Sequence, residues 1–323
     1  MNRARAAFFA FLAVLMAASW AAPAAYYPDK PIRILVGFPA GSSPDIVARL
    51  LGQKLSDSMG KAVVVENVSG ASGSLGAERV AKAPADGYTL ALAVNAQIIF
   101  NPSLYKLSYD TAKDFAPVTQ IGISSNVLVI PNGLAARNLQ ELLALARAQP
   151  GKLTFATAGN GTSPHLAAEL LKAMGEVDLT HVPYKGVVSA IPDLVSGRVT
   201  MMFSPIATVL PFVRDGKLRA LGVTSLQRSP ALPGVPSLSE SGLKGFEIVV
   251  WYGLLAPAGT PDAIVRKLHA ETVQALAKAE VRAQLADVGV DVVGNSPEDF
   301  AAAIKTELPK WAKFIQASGI KPD

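Results

Sequence analysis

Two short stretches concentrate the residue types that can hold an anion. The first, FPAGSSPD from Phe38 to Asp45, leaves the apolar segment IRILVGF and enters a helix-forming one. Pro39 fixes the exit from the strand, Gly41 permits close backbone approach, and Ser42, Ser43 and Asp45 are all competent helix caps. The free N–H groups of a helix start, at the positive end of the helix dipole, make an anion site without any basic side chain. Taken alone, such a turn reads first as an ordinary strand-to-helix connector, since such caps are common.

The second stretch, TAGNGTSPHLAAEL from Thr157 to Leu170, repeats the chemistry. It again reads as a strand, then Gly159-Asn160-Gly161, then Thr162 and Ser163 as caps, with Pro164 in the first helical turn, where a missing N–H costs nothing. Facing helix starts would give one carboxylate donors from two sides. Hydrogen bonds to a charged group are worth about 1.5–3 kcal/mol each, so several hold a small carboxylate without an arginine.

Other chemistry finds less support. GASGSLGAE, Gly70 to Glu78, has its glycines every third residue rather than in a dinucleotide fingerprint, and no phosphate-loop motif occurs. Tight packing of a helix start is the better account of those glycines. The histidines His165, His181 and His269 lack carboxylates at metal-ligand spacing, so neither a metal nor a cofactor is expected. Neither Ser42 nor Ser163 sits in a nucleophile elbow with an evident base. HVPYKG ends a strand and can carry Tyr184 and Lys185 to a cleft, or leave them a half-buried tyrosine and a surface lysine. WYG, Trp251 to Gly253, can line the cleft or fill a core, and core is the better reading for Trp251.

These loops need a frame, and the sequence supplies an α/β one. Short apolar runs (Ile32 to Phe38, AVVVENV, Tyr88 to Val94) alternate with amphipathic helical segments, which predicts mainly parallel sheets. The pattern recurs from VLVI through LRALGVTS, giving a second complete unit, and three helical stretches close the chain. No flexible linker separates the units. The strand near Val118 to Ile123 and the Pro-rich stretch near Ser229 to Leu243 read as two crossings between lobes, a hinge. The expected organisation is a signal peptide over residues 1–25, a first lobe from 26–123 plus 225–323, and a second lobe from 124–224.

The start, with Arg3, Arg5, an apolar run and an Ala-Pro-Ala-Ala stretch, has the parts of a secretory signal peptide; an uncleaved anchor is the competing reading. The chain has 323 residues and no cysteine, which excludes disulfides, thiolate metal sites and a lipid-acceptor cysteine. Its formal net charge of +5 suits small anions and is too weak to argue for nucleic acid.

The order YPDKPIRILVGFPAGSSPDIVAR, GAERVAKAPADGYTL, NPSLYKLSYDTAKDFAPVTQIG, TAGNGTSPHLAAEL, HVPYKG, GKLRALGVTS and WYGLLAPAGTP resembles the Bug family, the extracytoplasmic receptors of tripartite tricarboxylate transporters, over nearly the whole chain. The resemblance implies a two-lobed α/β periplasmic binding protein of the Venus flytrap type, with its ligand in the cleft between lobes. It implies capture of a small di-, tri- or aromatic carboxylate in the periplasm for a two-component membrane permease or, alternatively, a sensor kinase, with a single copy as the working unit. A periplasmic hydrolase using Ser163 is the less favoured alternative. The family's first loop is matched by Pro39, Ala40, Gly41 and Asp45, with Ser42 in place of a second glycine. Ser204 stands where an aspartate is frequent, which disfavours an amino-acid ligand. The candidate ligand-binding residues are therefore Phe38, Pro39, Ala40, Gly41, Ser42, Ser43 and Asp45 from one lobe and Asn160, Thr162 and Ser163 from the other. His165, Tyr184, Lys185 and Ser204 form a second tier.

Overall fold

The computed structural model describes residues 27–318 and Ile320. The expected signal peptide lies outside the described residues. The first half opens with β1 (Ile32–Val36), α1 (Ser43–Met59), β2 (Val63–Asn67), α2 (Ser74–Ala81) and β3 (Thr89–Val94). β1 pairs in parallel with both β2 and β3, which buries its apolar side chains on both faces. Along α1, Val47, Leu51 and Leu55 fall at helical spacing and are buried. The glycines of GASGSLG bring α2 against the exit of β1: a Cβ on Gly76 would lie 2.8 Å from the Gly37 Cα.

The chain then passes through one strand of 17 residues, β4 (Phe115–Pro131), into α3 (Leu139–Ala148), β5 (Thr154–Thr157), α4 (Ser163–Gly175), β6 (Thr180–Pro183), α5 (Val187–Val195), β7 (Met201–Pro205), α6 (Ile206–Arg214) and β8 (Leu218–Val223). It returns on β9 (Val249–Pro257) and closes with α7 (Asp262–Ala277), α8 (Ala279–Asp287), β10 (Val290–Val292) and α9 (Pro297–Ser318).

The strand order is β2-β1-β3-β9-β4-β7-β5-β6, with β8 and β10 also pairing with β4. Each half thus repeats one motif: β2-β1-β3 on one side is matched by β6-β5-β7 on the other, both parallel. The expectation of mainly parallel sheets holds only for these outer strands. β4 and β9 run antiparallel to each other, and every pairing they make is antiparallel. The reason is topological, because the chain leaves the first half on one of them and comes back on the other.

β4 pairs with β9 and β10 up to Ser125, and with β7 and β8 from Asn126. The outward crossing is therefore at Ser125–Asn126, just beyond the predicted 118–123. The two crossings are bonded together: Asn126 N donates to Thr224 Oγ1 at 2.9 Å, and Ile248 N to Thr224 O at 3.0 Å. The Pro-rich segment, grouped with the first lobe from sequence, docks on the second half instead. Leu238 N donates to Val223 O at 2.9 Å, Gln140 Nε2 to Ser241 O at 2.7 Å, and Phe246 stacks on Phe203. Burial of Leu238, Leu243 and Phe246 outweighs their position in the chain. α9 returns to the first half, where Trp311 packs edge-on against Phe100 and Phe300 against the buried Trp251.

Candidate functional site

The turns after β1 and β5 have nearly the same backbone. Gly41 and Gly161 take φ of 77° and 73°; the residues that follow, Ser42 and Thr162, are the N-caps of α1 and α4, with φ/ψ of −72°/157° and −79°/157°. Both helices then begin Ser-Pro. Neither N-cap side chain caps its helix, contrary to the role expected of Ser42 and Thr162. The residue in the third helical position reaches back instead. Asp45 Oδ2 accepts from Gly41 N at 2.9 Å, and His165 Nδ1 accepts from Gly161 N at 3.2 Å. The first helical bonds run from Ile46 to Ser42 O and from Leu166 to Thr162 O, which leaves the amides of Ser43, Asp45, Ser163 and His165 ahead of them at the positive helix ends.

Each staple is itself held. Asp45 accepts from Arg49 Nε at 3.0 Å and Asn67 Nδ2 at 2.9 Å, and Asn67 also donates to Phe38 O. Burial pushes the Asp45 pKa up, but these bonds and the Arg49 charge outweigh it and hold the carboxyl below its ordinary range. The carboxylate is turned onto its own loop and away from the cleft. His165 is stacked on His181, ring centroids 4.4 Å apart, and His181 is in turn stacked on Phe155 at 4.8 Å. Burial first, then His181 and Lys172, lower its pKa to about 3, so it is neutral with Nδ1 as the acceptor and the proton on Nε2.

The serines that open the two helices are held from the crossing strands. Ser43 Oγ is bonded to the hydroxyl of Tyr252 on β9, and Asn126 Nδ2 on β4 donates to Ser163 Oγ at 2.6 Å. Tyr252 is fully buried, and burial pushes its pKa up to about 12, so the phenol keeps its proton.

Between the turns lies an inner cavity of about 40 Å³, lined by Ser42, Ser43, Asn95, Thr162 and Ser163 with Phe38, Ala158, Gly186 and Pro205 among its apolar walls. Beyond Phe38, Ala158 and Gly186, which border both spaces, an outer cavity of about 440 Å³ is lined by Pro39, the 69–73 turn, Tyr105, Tyr184 and Lys185. No charged side chain lines the inner cavity among the described residues, and Lys185 is the charged one in the outer wall. The halves touch around this space: Ser72 Oγ and Tyr105 OH both donate to Asn160 O, at 2.6 and 3.2 Å.

The structure therefore brings together Phe38, Ser42, Ser43, Thr162 and Ser163 at the inner space and Pro39, Tyr184 and Lys185 at the outer one. Asp45 and His165 stand behind the wall as staples, and Asn160 presents its carbonyl to the opposite half. Ala40 is exposed and Gly41 borders a groove over α5 and α6, outside both cavities. Ser204 is fully buried and donates to Pro205 O, so it lines neither space. Tyr184 OH donates to Asp193 at 2.8 Å.

Sequence reasoning missed Asn95, Tyr252 and Asn126. Asn95 was within reach, because it directly follows β3 at the same sheet edge as Phe38. Tyr252 and Asn126 sit inside apolar strands, and only the strand pairing shows that they back the two helix starts.

Facing βα turns on two halves joined by paired crossing strands define a two-lobed solute-binding protein of the periplasmic type. A family model described as the tripartite tricarboxylate transporter family receptor matches residues 47–320, and the chain belongs to that family. It is 42% identical over 290 residues to the protein in the tcbD-tcbE intergenic region of Pseudomonas sp. strain P51, covering 90% of this chain and 86% of that one. It is 35% identical over 297 residues to protein BugT of Bordetella pertussis, covering 91% of each. Among solved structures, Rpa4515 of R. palustris with adipate superposes at a TM-score of 0.89 with 34% identity, over 92% of this chain and all of that one. MatC of Rhodopseudomonas palustris with bound malate gives 0.84 with 33% identity, over 89% and 99%. The chain is a periplasmic receptor by family, and among the described residues no helix is long and apolar enough to cross a membrane.

Proposed function

We propose that the protein captures a small organic acid between its two halves and presents the closed form to the permease of a tripartite tricarboxylate transporter. One observation carries this reading. Two helix starts of the same backbone geometry, one from each half, converge on one cavity whose wall has no charged side chain among the described residues. Such a site suits one compact anion, with amide donors and helix dipoles from both sides. The adipate and malate bound in the two solved relatives agree with a carboxylate ligand.

Closure follows from population shift. A ligand that touches both starts makes more contacts in the closed arrangement than in the open one, and favours closure by that difference in affinity. The paired crossings at Ser125–Asn126 and Thr224 serve as the hinge, since few backbone positions there need to move. A thermal-shift screen of the mature protein against a panel of organic acids tests the reading. At least one acid should raise the melting temperature. The reading fails if none does while a neutral sugar or an amine does.

A further inference from the structure

Three non-glycine residues have positive φ among the described residues, and two of them are neighbours. Ala71 and Ser72, at 47° and 50°, stand between Gly70 at 140° and Gly73 at 89° in the turn that follows β2. The left-handed region strains any residue with a Cβ, and such strain persists only where the surroundings over-determine it. Here the first half does so by itself. Gly73 N donates to Gly70 O at 2.9 Å, Asn101 Nδ2 to Ser72 O at 3.2 Å and Gln97 Nε2 to Gly73 O at 3.3 Å. Asn101 and Gln97 are buried in the segment after β3, and a Cβ on Gly73 would lie 2.8 Å from Gln97 Cγ. The turn therefore has its shape before the halves meet.

What this shape delivers is a hydroxyl across the cleft. Ser72 Oγ donates to Asn160 O at 2.6 Å, and Tyr105 OH gives the same carbonyl a longer bond at 3.2 Å. A carbonyl oxygen has two lone pairs and takes both. The opposite turn makes room, since a Cβ on Gly159 would stand 3.0 Å from Ser72 Oγ. Ser72, Tyr105 and Gly159 border the outer cavity, whose wall holds no residue of β4 or β9 among the described residues, whereas Val250 of β9 lines the inner one. The bonds thus lie on the side of the ligand space away from the crossing strands, where a hinge motion separates the halves most.

Ser72 is not a ligand group in this arrangement. A hydroxyl has one proton, and here it goes to Asn160 O; toward the cavity it offers lone pairs, which a carboxylate cannot use. The bond joins residues of opposite halves, so it exists only while they are together and favours closure whatever acid is inside.

We infer that Ser72 is the latch of the cleft: the left-handed turn presents its hydroxyl to Asn160 O of the opposite half, and that bond slows release of the bound acid without touching it. The inference rests on the capture reading above and adds a residue that sets how long an acid stays, not which acid enters.

Stopped-flow kinetics test it, on wild type and Ser72→Ala, with those acids among succinate, malate, glutarate, adipate and benzoate that raise the melting temperature. In Ser72→Ala the off-rate should rise about 3- to 10-fold, the weight of one neutral hydrogen bond. The factor should be the same for each acid, and the on-rate should stay as in wild type, because the acid enters before the latch forms. Tyr105→Phe, which loses the longer bond, should raise the off-rate about threefold or less. An off-rate in Ser72→Ala equal to wild type overturns the inference. So does a factor that differs from acid to acid, which would put the hydroxyl on the ligand, or a loss carried by the on-rate. Each of these leaves carboxylate capture standing. If Ser72→Ala does not fold, Tyr105→Phe decides by the same criteria. If no acid binds, carboxylate capture fails and this inference with it.

Discussion

Gly41 to Asp45 and Gly161 to His165 are the same turn built twice, and they differ in what stabilises them. On the first half the staple is an anion, kept ionised by Arg49, Asn67 and the Gly41 amide. On the second it is a neutral imidazole, kept unprotonated by burial against the His181 ring. Both solutions tie down a glycine N–H without aiming negative charge at the site. The anionic version needs a cation behind it; the imidazole version needs only a dry stack. The surroundings differ too. A Cβ on Gly161 would lie 2.4 Å from Leu104 and 2.9 Å from Asn101 Oδ1, whereas one on Gly41 meets nothing within 4 Å. The second turn is seated against the opposite half at its glycine, whereas the first meets the opposite half through Pro39, 3.0 Å from where a Cβ on Gly186 would stand.

The sharpest way to break this comparison is a matched pair of substitutions. Both glycines have positive φ, so alanine costs about 1–2 kcal/mol of backbone strain at either. At Gly161 the added methyl also blocks the approach of the first half. Gly161→Ala should weaken binding of the acid found by thermal shift by about 100-fold, combining strain with overpacking. Gly41→Ala should cost about tenfold at most. Calorimetry on the two proteins measures the difference, and equal losses would erase it.

Acid should separate the two staples next. His165 has its folded pKa lowered from 6.5 to about 3, so between those values the unfolded chain binds its proton and the native protein does not. Stability should therefore fall as the pH drops through that window, by up to about 1.4 kcal/mol per pH unit from this group. Asp45 works at lower pH: its contribution is complete above the ordinary carboxylate range and is lost as pH falls through its depressed folded value. Urea midpoints from pH 7 to 4 should slope downward in wild type and flatten in His165→Gln. An unchanged slope would remove the imidazole staple.

The smallest effect is expected from Asp45→Asn. It keeps one acceptor oxygen but loses the charge-assisted bonds, and should cost about 2 kcal/mol of stability. Because the carboxylate lies behind the wall, the order of preference among acids should stay as in wild type. A reversed order would mean that Asp45 faces the ligand.

Local chemistry made much of this protein readable from its residues. The helix starts at Ser43 and Ser163, the alternation of strands and helices, and the repeat of one α/β unit follow from capping residues and apolar periodicity, which act over a few positions. Segment order carried the family. The resemblance put Ser204 among the pocket candidates, whereas its side chain is fully buried and bonded to Pro205 O, and chain order alone put residues 225–248 in the first lobe.

The sequence by itself determined that two anion-competent helix starts exist, because glycine, hydroxyl and proline at those spacings fix their own backbone. Tertiary structure decided that they face each other, that Tyr252 and Asn126 from the crossing strands hold their serines, and that Asn95 completes the wall. Those contacts join residues far apart in the chain. They depend on the pairing of β4 with β9, whose register comes from burial across the whole molecule and not from any local pattern.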